Sequence, residues 1–403
     1  MTIDWAHAAP SILARFLATL LEGVEALAMA SGAGVRAILL AAIALGFAAR
    51  ADADEATGYV YRFNYTGEVF ADVDGGMQRG VVYTGLLQGT LDWHVGPWTA
   101  HGDAYLPHGD SVSQHDVGDF SVVSNIDAVH QLRLHELWGQ RQVGPASLRL
   151  GLLAADTEFW GSDTAALFVS SAFGAPSVVS GNLPHSPIFP QGVLGARVAF
   201  DVSEKDTLRI ALLDGDGGDP TSVNRHGLRI DLNHGALLVI EDQHLFGTVA
   251  APAASVRLGA FFRSRDSTDI EGPSARGTWG MIGVIDHTIN KRLVWFGRVG
   301  IAEHDRSTVP WSVETGFNLG AVFGPRNTFG VAFAYVDLNG HIQTLENPPG
   351  LRHEAIVEST LNVPLNEKIT IQPDLQYIFD PGGTADARNA LVVGVRVNVA
   401  LGR

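Results

Sequence analysis

"ALVVGVRVNVALGR", residues 390–403, alternates without interruption: Leu391, Val393, Val395, Val397, Val399 and Leu401 fall on one face, and Gly394, Arg396 and Asn398 on the other. Successive side chains of a strand point to opposite faces, so a period of two reads as a half-buried β-strand. Residues 391 to 401 at roughly 3.3 Å each, tilted by about 45°, rise on the order of 25 Å, the height of the apolar band that a membrane-spanning strand must cross.

The pattern recurs along the chain. In "ITIQPDLQYIF" (369–379), Ile369, Ile371, Pro373, Leu375, Tyr377 and Phe379 oppose Thr370, Gln372, Asp374 and Gln376. Proline removes a ladder donor, so Pro373 predicts a bulge or a local break that aims Asp374 inward. "VYTGLLQGTLDW" (82–93), "GLRIDLN" (227–233), "VRLGAFFRSR" (256–265) and "VETGFNLGAVF" (313–323) also alternate, each with a polar second face. Several of these run nine to twelve residues, longer than the roughly five or six usual in a soluble sandwich. Trp93, Trp98, Tyr377 and Phe379 stand near strand ends, where interfacial aromatic girdles belong. Turn signals such as "DVDGG" (72–76), "DGDGGDP" (214–220), "FGPRN" (323–327) and "DPGG" (380–383) punctuate the chain. A strand every ~20 residues gives about 16 strands, so the expected fold is all-β: a transmembrane antiparallel barrel with an even strand number.

Composition narrows the function. The 403-residue chain carries a net charge of −16, no cysteine and only three lysines, Lys205, Lys291 and Lys368. No basic stripe can follow a phosphate backbone, so nucleic acid is not an expected partner. Disulfides and thiolate metal sites are excluded. One apolar run, Ile38 to Ala49, follows Arg36 and leads to small-x-small sequences at 49–51 and 51–53. It is too short to span a bilayer as a helix but fits a secretory signal, with Met29 as a natural start. Residues 1–53 are therefore expected to be a leader, and 54–403 one barrel domain exported to the outer membrane.

On these residues the chain resembles the carbohydrate-selective porins of the OprB family. "QPDLQYIFDPGG" followed by "ALVVGVRV" is similar to the family's C-terminal signature. "YTGEVFADVDGG" (65–76), "SNIDA" (124–128), "LHELWGQ" (134–140), "LRLGLLAADTEF" (148–159), "FGAPS", "LPHSPIFPQGVLGARV" and "FGRVGIAE" (296–303) look like family blocks in family order. The resemblance implies a 16-stranded outer-membrane barrel that passes sugars, without cofactor, metal or catalysis, working in membrane lipid as a monomer or homotrimer. One departure is the end of the chain: Leu401-Gly402-Arg403 stands where such barrels carry a terminal aromatic, which bears on how efficiently it inserts.

A sugar pore needs carboxylates, guanidinium forks and aromatic faces, because carbohydrate presents both hydroxyls and CH patches. Gln372, Asp374 and Gln376 are expected to line the lumen, together with Arg298, Glu354 and Glu358. Glu136 and Trp138 have suitable chemistry, but Arg133 falls on the opposite parity, leaving lumen or rim open for Glu136. Asp156, Glu158 and Phe159 open a long stretch without alternation, "WGSDTAALFVSSAFGAPSVVSGNLPHSP". Long loops are uncommon unless functional, so this one is expected to fold into the barrel as a constriction.

Other readings are weaker. A general or differently selective porin shares every strand feature. An outer-membrane lipase could be built from His108, Asp110 and Ser111, but neighbours on a strand point to opposite faces. His94, His101, His108 and His115 recur every seven residues, yet Gly96, Pro97, Gly102 and Pro107 forbid the helix that would align them. "DGDGGDP" lacks the glutamate a calcium loop needs, since Arg225 stands at the twelfth position.

Overall fold

The computed structural model describes residues 58–183, 185–231, 235–264, 277–339 and 352–402; the expected leader lies outside them. Sixteen antiparallel strands form one closed barrel in which each strand pairs with its sequence neighbours. They are β1 (Gly58–Gly76), β2 (Gly80–Val95), β3 (Trp98–Gly109), β4 (Arg133–Val143), β5 (Ala146–Leu153), β6 (Val193–Asp201), β7 (Asp206–Asp214) and β8 (Ala236–Thr248). The second half comprises β9 (Ala251–Arg263), β10 (Thr278–Asn290), β11 (Leu293–Ala302), β12 (Trp311–Gly320), β13 (Thr328–Asp337), β14 (His353–Pro364), β15 (Ile369–Phe379) and β16 (Arg388–Gly402). The closing strand pairs with the first, Val395 opposite Val69 and Arg396 opposite Glu68. Closure satisfies both edges, the condition for a sheet to stand in hydrocarbon.

The alternation has a direct structural meaning. Val393 and Val395 lie exposed on the outer surface, whereas Val392 and Arg396 are buried on the inner one. Apolar residues face outward on strand after strand, the pattern expected of a membrane barrel's exterior. Aromatics concentrate at its two margins. Tyr59, Tyr61 and Phe63 follow one another along β1, with ring centroids 6.4 and 6.2 Å apart. Trp311 stacks on Tyr335 at 4.9 Å, and Tyr377 meets Phe379 edge-on at 4.7 Å. One rim carries two-residue turns such as 96–97, 144–145, 249–250 and 291–292; the other carries the long connections.

Pro373 makes no bulge. Its pairing with β16 runs in even register, Gln372 opposite Arg396 and Asp374 opposite Gly394. On the β14 side the paired residues jump from Thr360/Asp374 to Val363/Ile371 with the register kept. The missing N–H opens a gap in one ladder, and Asp374 faces inward by ordinary alternation. Gly394 has a packing reason: a Cβ there would fall 2.2 Å from Cδ1 of the inward-facing Phe70.

"GLRIDLN" is not a strand. Leu228 and Ile230 are exposed in the connection from β7 to β8, and residues 232–233 lie outside the described set. Alternation specifies a strand only where a ladder is free. The place beside β7 belongs to β8, with Asp214 opposite Ala236, while Arg229 donates its backbone N–H to Asn224 (3.1 Å) and its guanidinium to Asp231 (3.1 Å).

Candidate functional site

Two connections fold back into the barrel. Residues 154–192, between β5 and β6, run along the inner wall, fastened by side chains of many strands. Glu241 on β8 accepts the backbone N–H of Trp160 (2.6 Å), and Asp286 on β10 accepts from the Ser162 hydroxyl (2.6 Å) and the Thr164 N–H (3.2 Å). Arg298 on β11 donates to the carbonyls of Ala172 (2.9 Å) and Gly174 (2.6 Å). Glu358 on β14 accepts from Val169 (2.6 Å) and Ser170 (2.9 Å), and Gln372 on β15 donates to the Leu167 carbonyl (2.7 Å).

The connection from β3 to β4, residues 110–132, continues the coating, a role its sequence did not announce. Glu354 accepts N–H groups from Phe120 (2.6 Å) and Ser121 (2.8 Å). Gln376 donates to the Val123 carbonyl (2.9 Å), and Glu68 on β1 accepts from the Ser124 hydroxyl (2.6 Å). A loop inside a barrel carries backbone groups that need partners, and inward-facing acids and amides provide them.

This placement changes the reading of the expected lumen residues. Arg298, Glu354, Glu358, Gln372, Asp374 and Gln376 all face inward, but all are buried beneath the two loops. Charge pointing into a barrel is not the same as charge meeting water. Phe159 is buried in the apolar cluster beneath the loop with Trp160, Val178 and Phe261.

Glu136 resolves differently. Asp103 pairs with Glu136 and Ala104 with Leu134, so His135 is an extra residue, a β-bulge in β4. The bulge resets parity: Arg133, His135 and Glu136 are all buried on the inner side. Glu136 accepts the Ala154 N–H (3.0 Å) and fastens the start of the constriction loop. Trp138 is half-buried; the Arg149 guanidinium lies 3.8 Å from its ring centroid and His101 stacks on it at 4.7 Å. The indole thus serves as a platform for Arg149.

Facing the start of this loop, the wall from β5 to β9 carries polar groups that remain near water. Glu158 reaches from the constriction loop into a row of arginines: Oε2 accepts from Arg149 (3.2 Å, β5) and Arg197 (2.8 Å, β6), while Oε1 stands 3.8 Å from Arg209 (β7). Glu241 accepts from Arg209 and from Arg257 on β9, each at 3.4 Å. Gln140 receives Arg149 (3.0 Å) and Arg197 (2.8 Å). Four guanidinium groups thus answer two carboxylates, a local positive excess inside an acidic chain. Arg149, Arg209, Arg257 and Glu158 keep partial exposure.

None of these arginines except Arg257 stood out in the sequence, yet each shares a readable signature. "LRL", "ARV", "LRI" and "VRL" place a single arginine between apolar residues on a strand, the pattern of "VRV" around Arg396.

Asp156, also in the loop, accepts the Phe189 N–H (2.8 Å), and burial raises its carboxyl above the usual range. In the second loop, burial beside Glu354 pushes Asp119 up to about 8. Ser111 donates to Asp127, and His115 pairs with Asp110 at 2.7 Å, so Ser111 and the histidines are engaged separately. Among the described residues no group of three or more His, Asp or Glu is arranged to hold a metal ion. Asp219 is a turn residue, held down at about 2 by Thr221 and Ser222 donors.

A closed sixteen-stranded barrel with an apolar exterior and two long connections folded into its interior has the architecture of a porin. Its family is that of the "Carbohydrate-selective porin, OprB family", whose model matches residues 96–401, and the chain belongs to it. The structure is similar to that of Pseudomonas putida OprB at high pH, with TM-score 0.76 and 18% identity over 85% of this chain and 94% of that one. A loop-deleted OmpT of Vibrio cholerae has TM-score 0.51 and 9% identity over 86% of this chain and all of that one. At these identities the likeness is one of fold. No curated protein matches the chain. The protein is a sugar porin, a transport channel.

Proposed function

We propose that the chain is exported, inserted in a bacterial outer membrane with its short turns toward the periplasm, and passes sugars by diffusion at the row Arg149, Arg197, Arg209, Arg257 and Glu158. The observation that carries this reading is Glu158, on the infolded loop, held among guanidinium groups of the facing wall, several of which stay partly exposed. Guanidinium forks donate in a fixed plane, and carboxylates accept, so together they can exchange bonds with the hydroxyls of a passing ring. The groups already pair with each other. A solute therefore replaces existing hydrogen bonds instead of making new ones, and net binding stays weak enough for release. The transverse field between the arginines and Glu158 orders water and favours polar neutral solutes over apolar ones.

Liposome swelling with the purified protein tests this. Hexoses should enter faster than amino acids of the same size, and Glu158→Gln should narrow the difference. Equal rates for equal-sized solutes would remove the sugar preference.

A further inference from the structure

The passage contains a second polar and aromatic chamber, apart from the arginine row. A cavity of about 740 Å³ lies where the two infolded loops face β2 and β3. One corner is apolar and aromatic: Tyr105 and Phe189 meet edge-on, centroids 5.1 Å apart at 64°, and Phe120 lines the same space. Opposite in character are Gln88, Asp127 and Asp156, which also line it. Asp156 accepts the Phe189 N–H on Oδ2 and its Oδ1 is buried, so it holds Phe189 in place, whereas Asp127 is half-buried and lines this cavity and the next. Gln88 is oriented by its own donors, which reach the Asp103 carboxylate (3.3 and 3.2 Å) and the Tyr105 hydroxyl (3.4 Å). A second cavity of about 860 Å³ shares Val122 and Asp127 with the first and opens among the long connections, lined by Asp110, His130 and Thr221. The chamber therefore continues toward the rim of long connections.

The lining of the inner chamber includes two carboxylates and no lysine, arginine or histidine. It offers acceptors and flat apolar faces, with no cation to hold an anion. That combination suits a neutral ring with CH patches on one side and hydroxyl donors on the other.

We propose that this chamber is a second sugar subsite, in which a neutral sugar ring packs against Phe189 and Tyr105 while its hydroxyls donate to Asp127 and to the Gln88 side-chain carbonyl, ahead of the arginine row. The inference rests on the sugar-porin reading and adds a location to it. Two weak sites in series let a solute leave one as it meets the next, whereas a single tight site would retain its cargo.

The test uses the full protein in planar bilayers, with glucose added on the side of the long connections and current block recorded. Asp127→Asn keeps an acceptor for the Ser111 hydroxyl and removes the charge. Phe189→Leu keeps an apolar side chain and removes the ring. Single-channel steps and heat-modifiable gel mobility report that each variant is folded and inserted. Wild-type block should saturate, and each variant should raise the half-blocking glucose concentration about fivefold, the factor that ~1 kcal/mol sets. Half-blocking values unchanged in both variants would overturn the subsite and leave the sugar-porin reading intact. Stronger block by triethylammonium than by glucose, lost in Asp127→Asn, would also overturn it and make the chamber a cation trap. Failure of the sugar preference itself shows in liposome swelling, separately from either result.

Discussion

Two halves of one barrel interior, drawn from the same alternating pattern, do opposite things. From β8 round through β16 to β1, inward acids, amides and Arg298 hold loop backbone and are sealed from water. From β5 to β7, with Arg257 on β9, inward arginines pair mainly with Glu158, Glu241 and Gln140, and several stay partly exposed, whereas Arg133 and Glu136 at the start of β4 are buried against loop backbone. The coated half sets the shape of the passage. The arginine wall supplies its chemistry. An inward polar residue in a barrel therefore has two possible employments, and only what the loops cover decides between them.

The difference can be broken from the coated side first. Arg298 and Glu314 form a fully buried ion pair at 3.0 Å, and Arg298 also holds Ala172 and Gly174. Arg298→Met leaves Glu314 uncompensated and two loop carbonyls without donors, a loss of about 3–5 kcal/mol. Lower thermal stability in detergent, together with higher and noisier single-channel conductance, is the expected result. Unaltered conductance would show that the loop does not depend on this fastening.

An intermediate effect should come from pH. Asp119 titrates at about 8 in the folded protein because burial penalises its charge, with Glu354 adding repulsion. Its folded pKa lies above the unfolded value of ~3.9, so its contribution to stability is complete below pH ~4 and is lost as pH rises through 8. The seat of residues 110–132 should therefore loosen progressively from pH ~4 to ~8 and level off above it. Hydrogen exchange of the Phe120 and Ser121 amides should accelerate across that interval beyond the intrinsic rate, and Asp119→Asn should flatten the change. A wild-type profile that already matches the variant would remove Asp119 as the cause.

The smallest stability effect belongs to the arginine wall. Arg149→Leu removes a partly exposed ion pair while Arg197 still holds Glu158, so it should cost under about 1 kcal/mol. Its functional effect should be larger: lower anion preference in the reversal potential and weaker glucose block. A large loss of stability with no change in permeation would reverse the roles assigned to the two halves.

The strands were readable because a one-residue slip exposes every wrong side chain, which makes period-two alternation hard to fake over ten residues. "GLRIDLN" shows the limit: the pattern was present, but the neighbouring ladder had another occupant. Pro373 was legible as a missing donor, though not as a gap that keeps its register. Parity around Glu136 could not be settled from sequence, because one extra residue at His135 shifts the face of everything before it. The constriction loop was legible by its length and lost alternation. The inward course of 110–132 was not, since its anchors, Glu354, Gln376 and Glu68, lie on strands far away in sequence.

The sequence by itself determined an apolar outer surface, a polar interior and about sixteen strands, because alternation is a local property that each strand states for itself. Which interior groups meet water was decided only by the tertiary structure, because coverage depends on contacts between residues hundreds of positions apart. Glu358 and Glu158 are both carboxylates inside the barrel. One is fully buried, closed over by a loop whose N–H groups donate to it, and the other sits on that loop, turned toward the arginines of the facing wall.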